Sequence, residues 1–361
     1  MPAAGMAVAA RSPVEVSHAG SRLVARLNPG AHPSAWYHAP ALLQEVTAMT
    51  QGSAPRADVI PVWQTEMITL ADGLYAYVQA TGGFCISNAG LIAGGAGSVA
   101  VDALFVPRMT RAFLDEAARC TAAPITTLIN THHHVDHTLG NHLFAGRTII
   151  GHDLTRSEMA RTGNPAARIA AVAPHFAPDL AEPIPIVPPN LTYSDRLTLY
   201  VDEREVQLIH VPTAHTIDDT LVYLPAERLL FAGDVAFFYV TPLAFEGSIL
   251  GWLDAIARIE AMEVERIVPG HGPVGTKAEL ALLRGYFELL RDQAQEHYRA
   301  GHSAEQAVME MDLGPYAAWG EPERIVPNVL RLYQDFSGAP WAPLDLAASR
   351  ALQEAWLARH R

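Results

Sequence analysis

From Val62 onward, short β-branched and apolar runs alternate with glycine-containing turns. Met67–Leu70, Leu74–Val78, Cys85–Ala93 and Ser98–Asp102 read as successive strands. Pro107–Arg119 reads as a helix, Pro124–Asn130 as a buried β-branched strand, Thr138–Phe144 as the opening of a helix, and Thr148–Gly151 as a further strand. Strand patterning resumes at Leu197–Val201, Val206–His210, Thr220–Leu224 and Arg228–Ala232, and Ile249–Glu260 is helical before a last short strand, Arg266–Val268. Beyond Lys277 the texture is helical, at Glu279–Ala300, Ser303–Met311, Glu323–Phe336 and Ala347–Arg359. Runs of strands with helices between and after them, without internal repeats, predict an α+β chain of two sheets with helices outside.

The predicted divisions are an N-terminal arm over 1–60, a catalytic domain over 61–276 and a helical extension over 277–361 packed on that domain. The arm is rich in Ala, Ser and Pro, with one short helix expected at Ala41–Met49. Residues 174–189 hold six prolines in sixteen positions and read as a stiff extended stretch, either a connector or a wall of the substrate cleft.

The 361 residues are 50% hydrophobic and 17% charged, enough to bury a large core. A net charge of -13 with a single lysine, Lys277, disfavours a nucleic-acid partner. The only two cysteines, Cys85 and Cys120, give neither a disulfide framework nor a cysteine zinc site. The first basic residue, Arg11, follows the apolar start, the reverse of a signal peptide, and no run approaches the ~18 apolar residues of a membrane span. The expectation is a cytoplasmic protein with a small-molecule substrate, no membrane partner, and a homodimer as an open option.

The strand Pro124–Asn130 delivers Thr131-His132-His133-His134-Val135-Asp136-His137. His132, His134, Asp136 and His137 form the pattern H-x-H-x-D-H on a strand-to-helix loop, where a rigid scaffold aims side chains at one point. The i, i+2 spacing places His132 and His134 on one side and turns His133 away. Three further candidates follow strand-like runs: His215 in Pro212-Thr-Ala-His-Thr, Asp234 in Leu229-Leu-Phe-Ala-Gly-Asp, and His271 in Ile267-Val-Pro-Gly-His-Gly-Pro.

In that order these motifs resemble the metallo-β-lactamase-fold hydrolases over Val62 to Gly275. The resemblance implies a four-layer αββα sandwich with a dinuclear metal centre along one edge. It implies that His132, His134 and His215 hold the first metal, that Asp136, His137 and His271 hold the second, and that Asp234 bridges them. Asp102 matches an acidic supporting position of that family. Five imidazoles and two carboxylates suit two zinc ions per chain, with manganese or iron as alternatives. Two such ions lower the pKa of a shared water towards ~7, so a metal-bound hydroxide is the expected nucleophile. Asp136 would orient it and move its proton.

The bridging Asp234 is similar to the glyoxalase II, lactonase and RNA-processing branches rather than to the zinc β-lactamases, which lack a bridging aspartate there. Phe237 stands where quorum-sensing lactonases carry a tyrosine, with Tyr239 two residues on. The aromatic loop from Ala236 to Phe245 would border the metals and favour an apolar or aromatic substrate. The expected activity is hydrolysis of an ester, thioester, lactone or amide of a moderately hydrophobic small molecule. The alternative is an iron-dependent oxidoreductase, or a metal-dependent cyclase or lyase, on the same fold.

Overall fold

The computed structural model describes residues 54–339 and 341–360, together with the backbone of Glu15–His18 (β1) and Ser21–Val24 (β2), which pair antiparallel. The rest of the arm, including the helix expected at Ala41–Met49, lies outside the described residues.

Two sheets form the centre. In the first, Glu66–Ala71 (β3), Leu74–Val78 (β4), Ala89–Ile92 (β5) and Ser98–Val101 (β6) pair antiparallel in turn. Ile125–Ile129 (β7), Thr148–His152 (β8) and Leu191–Tyr193 (β9) then continue from β6 in parallel. In the second, Arg196–Val201 (β10), Arg204–His210 (β11), Thr220–Leu224 (β12) and Leu229–Phe237 (β13) are antiparallel, and Arg266–His271 (β14) runs parallel to β13.

The period-2 alternation of the strands makes the layers. Leu197, Leu199, Val222, Leu224, Leu229 and Phe231 meet Leu74, Ala76, Val78, Ile92, Val99 and Val101 between the sheets. Their neighbours Ile209, Leu221, Leu230 and Ala232 face outward. There they pack on Ile249–Ala261 (α5), Lys277–Arg299 (α6) and Ile325–Ser337 (α8) through Trp252, Leu283, Phe287 and Val329. On the far side Leu91, Ala100, Leu128 and Ile149 pack against Met109, Phe113 and Ala117 of Pro107–Cys120 (α1). This is the expected αββα sandwich. Ala304–Glu310 (α7) and Leu346–His360 (α9) pack beside α8 and contribute Val308 and Trp356 to the same core as the second sheet.

Several expectations shift. The strand expected at Cys85–Ala93 begins only at Ala89, because Asn88 is taken up by a cross-link between the sheets: its Nδ2 donates to Pro269 O (2.9 Å) and Gly272 O (2.8 Å). Strand β13 runs five residues past Ala232, through Asp234 to Phe237. The short β9 and the helices Asp153–Thr162 and Ala166–Val172 carry too little periodicity to have been assigned. The proline-rich stretch is a connector: Phe176 and Ile184 are buried in the α1 layer. The sole lysine closes a helix end, with Lys277 Nζ donating to Glu260 O (2.8 Å) and to Met262 O.

Candidate metal centre

Parallel strand pairs β6–β7 and β13–β14 bring their carboxyl ends to one edge of the sandwich, where loops can carry chemistry. Asp102 follows β6 in a left-handed conformation (φ 60°), which Asp tolerates better than most residues. There its Oδ1 accepts from Thr131 N (2.8 Å), and its Oδ2 accepts from Thr131 Oγ1 (2.8 Å) and sits 2.8 Å from His137 Nδ1. The loop after β7 and the single turn Val135–Thr138 (α2) are thereby tied to β6.

Two groups of potential ligands meet at this edge, each with its ligand atoms within 4.8 Å of one another: His132, His134, His215 and Asp234, and Asp136, His137 and His271; a third, His133, His134 and Glu246, adjoins them through His134. Asp234 faces the first two. Its Oδ2 is 3.2 Å from His215 Nε2 and 3.8 Å from His132 Nε2, while its Oδ1 is 3.0 Å from His137 Nε2. The inward nitrogens are set by what their partner nitrogens meet: His271 Nδ1 lies 2.9 Å from Gly82 O, His132 Nδ1 3.1 Å from Thr131 Oγ1, and His137 Nδ1 on Asp102. That is how ligating imidazoles are oriented. His134 is turned the other way round, with Nδ1 2.9 Å from His215 Nε2.

The arrangement fits a cation. His132 Nε2, His137 Nε2 and Asp234 Oδ1 are buried without an aligned hydrogen bond, which is costly unless something charged takes their place. Glycines make the room: a Cβ on Gly270 would lie 1.9 Å from Asp234 Oδ1, and one on Gly233 (φ 51°) 2.7 Å from Thr131 Cβ. The electrostatics agree. Burial holds His132 well below the usual imidazole range and lowers His215 to about 3. Burial opposes a charge on His137 and His271 too, but Asp234 and its neighbouring carboxylates win, lifting His137 well above 6.5 and His271 to about 9. Burial likewise opposes ionisation of Asp234 and Asp136. The surrounding histidines outweigh it, holding Asp234 well below its usual value and Asp136 at about 2.

All seven sequence-predicted residues therefore converge, with Asp102 behind them. Three features were not read from the sequence. His133 does turn away from the ligand groups, but into a buried chain: its Nδ1 is 2.8 Å from Asp218 Oδ1 and its Nε2 3.3 Å from Glu246 Oε2. Of the aromatic loop, most is core, and two rings stack on ligand imidazoles: Phe237 on His271 (4.8 Å, 7°) and Phe245 on His134 (4.9 Å, 19°). Finally, α8 and the turn before it hold that loop from behind. Arg324 Nη1 donates to Thr241 O (2.9 Å), and Asn328 Nδ2 donates to Pro242 O (2.9 Å) while its Oδ1 accepts from Ala244 N (2.8 Å). Arg331 donates to Phe245 O, and Asp335 accepts from Ser248 Oγ and Ile249 N (both 3.0 Å). The spacing of 4, 3 and 4 residues is a helical stripe, and it was legible only as polar positions in a helix of otherwise apolar texture.

A four-layer sandwich with this edge site defines a metal-binding fold. The chain belongs to the metallo-beta-lactamase superfamily, whose model matches residues 82–271. It is 27% identical over 188 residues to the 2,4-dinitroanisole O-demethylase subunit alpha of Nocardioides sp. (strain JS1661), covering 50% of this chain and 51% of that one. It is 23% identical over 244 residues to a type 2 metallo-beta-lactamase of Bacteroides fragilis, covering 65% of this chain and 88% of that one. The inverting sec-alkylsulfatase Pisa1 from Pseudomonas sp. has a similar structure, with a TM-score of 0.59 at 17% identity over 76% of this chain and 50% of that one. This likeness shows the fold. The chain spans about half the length of the first of these relatives.

Proposed function

We propose that the protein is a dinuclear metal-dependent hydrolase, in which His132, His134 and His215 hold one ion, Asp136, His137 and His271 the other, and Asp234 is shared. The carrying observation is Asp234, whose two oxygens face the two ligand groups at 3.2 Å from His215 Nε2 and 3.0 Å from His137 Nε2. The all-nitrogen-and-oxygen donor set favours zinc over softer-ligand metals, with manganese or iron as substitutes. Two ions held there supply the Lewis acidity that activates water and polarises a scissile bond.

The chain's own part is positioning. Asp136 is the more open carboxylate, 15% exposed against 4% for Asp234. It is the group placed to orient the attacking water and to carry its proton to the leaving group. His134, at 12%, is the most open of the five histidines, so substrate approaches on the side of His134 and Asp136. The other ligands are sealed, which strengthens every charge interaction in the site. Phe245 on His134 supports a moderately hydrophobic ester, thioester, lactone or amide.

The test is elemental analysis of wild type and Asp234→Ala, followed by a screen of the zinc-loaded protein on aryl esters, thioesters, lactones and β-lactams. About two zinc ions per chain, reduced in the variant, and turnover of one of these classes are expected. A single iron per chain, indifferent to Asp234→Ala and accompanied by oxygen consumption, would overturn the reading.

A further inference from the structure

Glu246 lies outside the seven-residue ligand set and is tied to it. Its Oε2 is 3.5 Å from His134 Nε2, the nitrogen that faces away from the ligand group, and 3.3 Å from His133 Nε2. Behind His133 stands Asp218, fully buried. Of this chain only Glu246 reaches open space, with its side chain 24% exposed against 4% for His133 and none for Asp218. It therefore emerges beside His134, on the side left open for substrate. Its predecessor Phe245 covers the face of the same His134 ring.

The position of this pair is not left to the loop. Arg331, fully buried on α8, donates to the carbonyl of Phe245, and Asn328 fixes Ala244. Burying an arginine and an asparagine to hold a loop backbone is costly unless each finds partners. A segment so held carries side chains in fixed places, which is what recognition of a substrate requires. Two arginines feel the charge of Glu246, and both are tied elsewhere: Arg161 to Glu158 on its own helix, and Arg331 to Gln334 and the carbonyls of Ala342 and Phe245.

We propose that Phe245 and Glu246 form the substrate-selecting wall of the metal centre. Phe245 receives an apolar or aromatic group, and the Glu246 carboxylate turns away substrates that carry a second negative charge on that group. The preferred substrate class is then a neutral, or cationic, aromatic or alkyl ester, thioester, lactone or amide. This rests on the metal-centre reading above. Two like charges a few ångströms apart at a protein surface repel strongly enough to sort substrates by about tenfold.

Two matched hydroxamic acids test it on the zinc-loaded protein: benzohydroxamic acid carrying a para-carboxylate, and the same molecule carrying a para-carboxamide. The hydroxamate anchors both at the metals and the ring runs along Phe245, so only the distal charge differs. Calorimetric titration of wild type is expected to favour the carboxamide by about tenfold. Glu246→Gln removes that preference and Glu246→Asp keeps most of it, while Phe245→Ala weakens both ligands alike, with zinc content unchanged in all three. A preference that survives Glu246→Gln, or that is absent from wild type, overturns the selecting role of Glu246. If neither hydroxamate binds wild type, the metal-centre reading itself fails and this proposal falls with it.

Discussion

Asp102 Oδ2 stands 2.8 Å from Nδ1 of His137, and that one contact joins the end of β6 to the imidazole carried by α2. The same carboxylate holds Thr131 twice, so it orients both ends of the H-x-H-x-D-H loop. Its role exceeds that of a strand-end cap.

Removing it has a defined cost. Loss of a carboxylate behind a ligating histidine lowers metal affinity by ~10- to 100-fold. Asp102→Ala is expected to weaken the ion on Asp136, His137 and His271 more than the ion on His132, His134 and His215. Competition titration against a chelator resolves the two steps, and unchanged affinity for both ions would remove Asp102 from the site.

Metal uptake is expected to release protons. In the metal-free protein His271 titrates at about 9 and His137 well above 6.5, burial in both cases being outweighed by Asp234 and nearby carboxylates. An ion needs the neutral imidazole. Affinity should therefore climb as pH rises through about 9. For the metal-free fold the sign is opposite. The stability that His271 contributes is full below its unfolded value near ~6.5 and is lost as pH rises through 9. Zinc titrations in buffers of differing ionisation enthalpy read the release directly, and none at pH 7 would contradict the protonated state.

Chelation should soften the fold as well as empty the site. A ligand present at ~1,000 times its Kd stabilises the native state by ~4.1 kcal/mol. The melting temperature is expected to fall on adding chelator and to recover on returning zinc. A melting temperature indifferent to both would mean that the convergent histidines bind no ion tightly.

Phe237 is nearly inaccessible, at 1% exposed, between His271 and Trp252. Phe237→Ala removes a packed ring and frees the imidazole behind it, so a loss of ~3–5 kcal/mol is expected in denaturant unfolding. Phe237→Leu, which keeps much of the volume, should recover over half of that. Equal losses in the two variants would show that packing volume is not what Phe237 supplies.

The stripe on α8 can be tested through Asn328, fully buried and bonded to Pro242 O, Ala244 N and Tyr286 Oη. Asn328→Leu strands the buried donor of Ala244 and the acceptor of Pro242, at ~1–3 kcal/mol each. Amide exchange should rise first at residues 241–250, ahead of the sheets. A uniform rise across the second sheet would instead point to a general loss of packing.

The sequence by itself determined the two sheets with helices outside and picked out seven candidate ligands, because strands and motifs are written in local order. Alternation with period two specifies strands, and His132, His134, Asp136 and His137 lie within six residues after an unmistakably buried run. His215, Asp234 and His271 were legible since each follows an apolar strand-like run, where a polar group marks a site or a cap. Only the tertiary structure decided what surrounds them. Glu246 reaches His133 across more than a hundred residues, Phe237 and Phe245 leave their aromatic loop for two different histidines, and α8 reads the backbone of residues 241–249 from the far end of the chain. Contacts of that span depend on how two sheets and a helical layer pack, and no spacing along the chain encodes that distance.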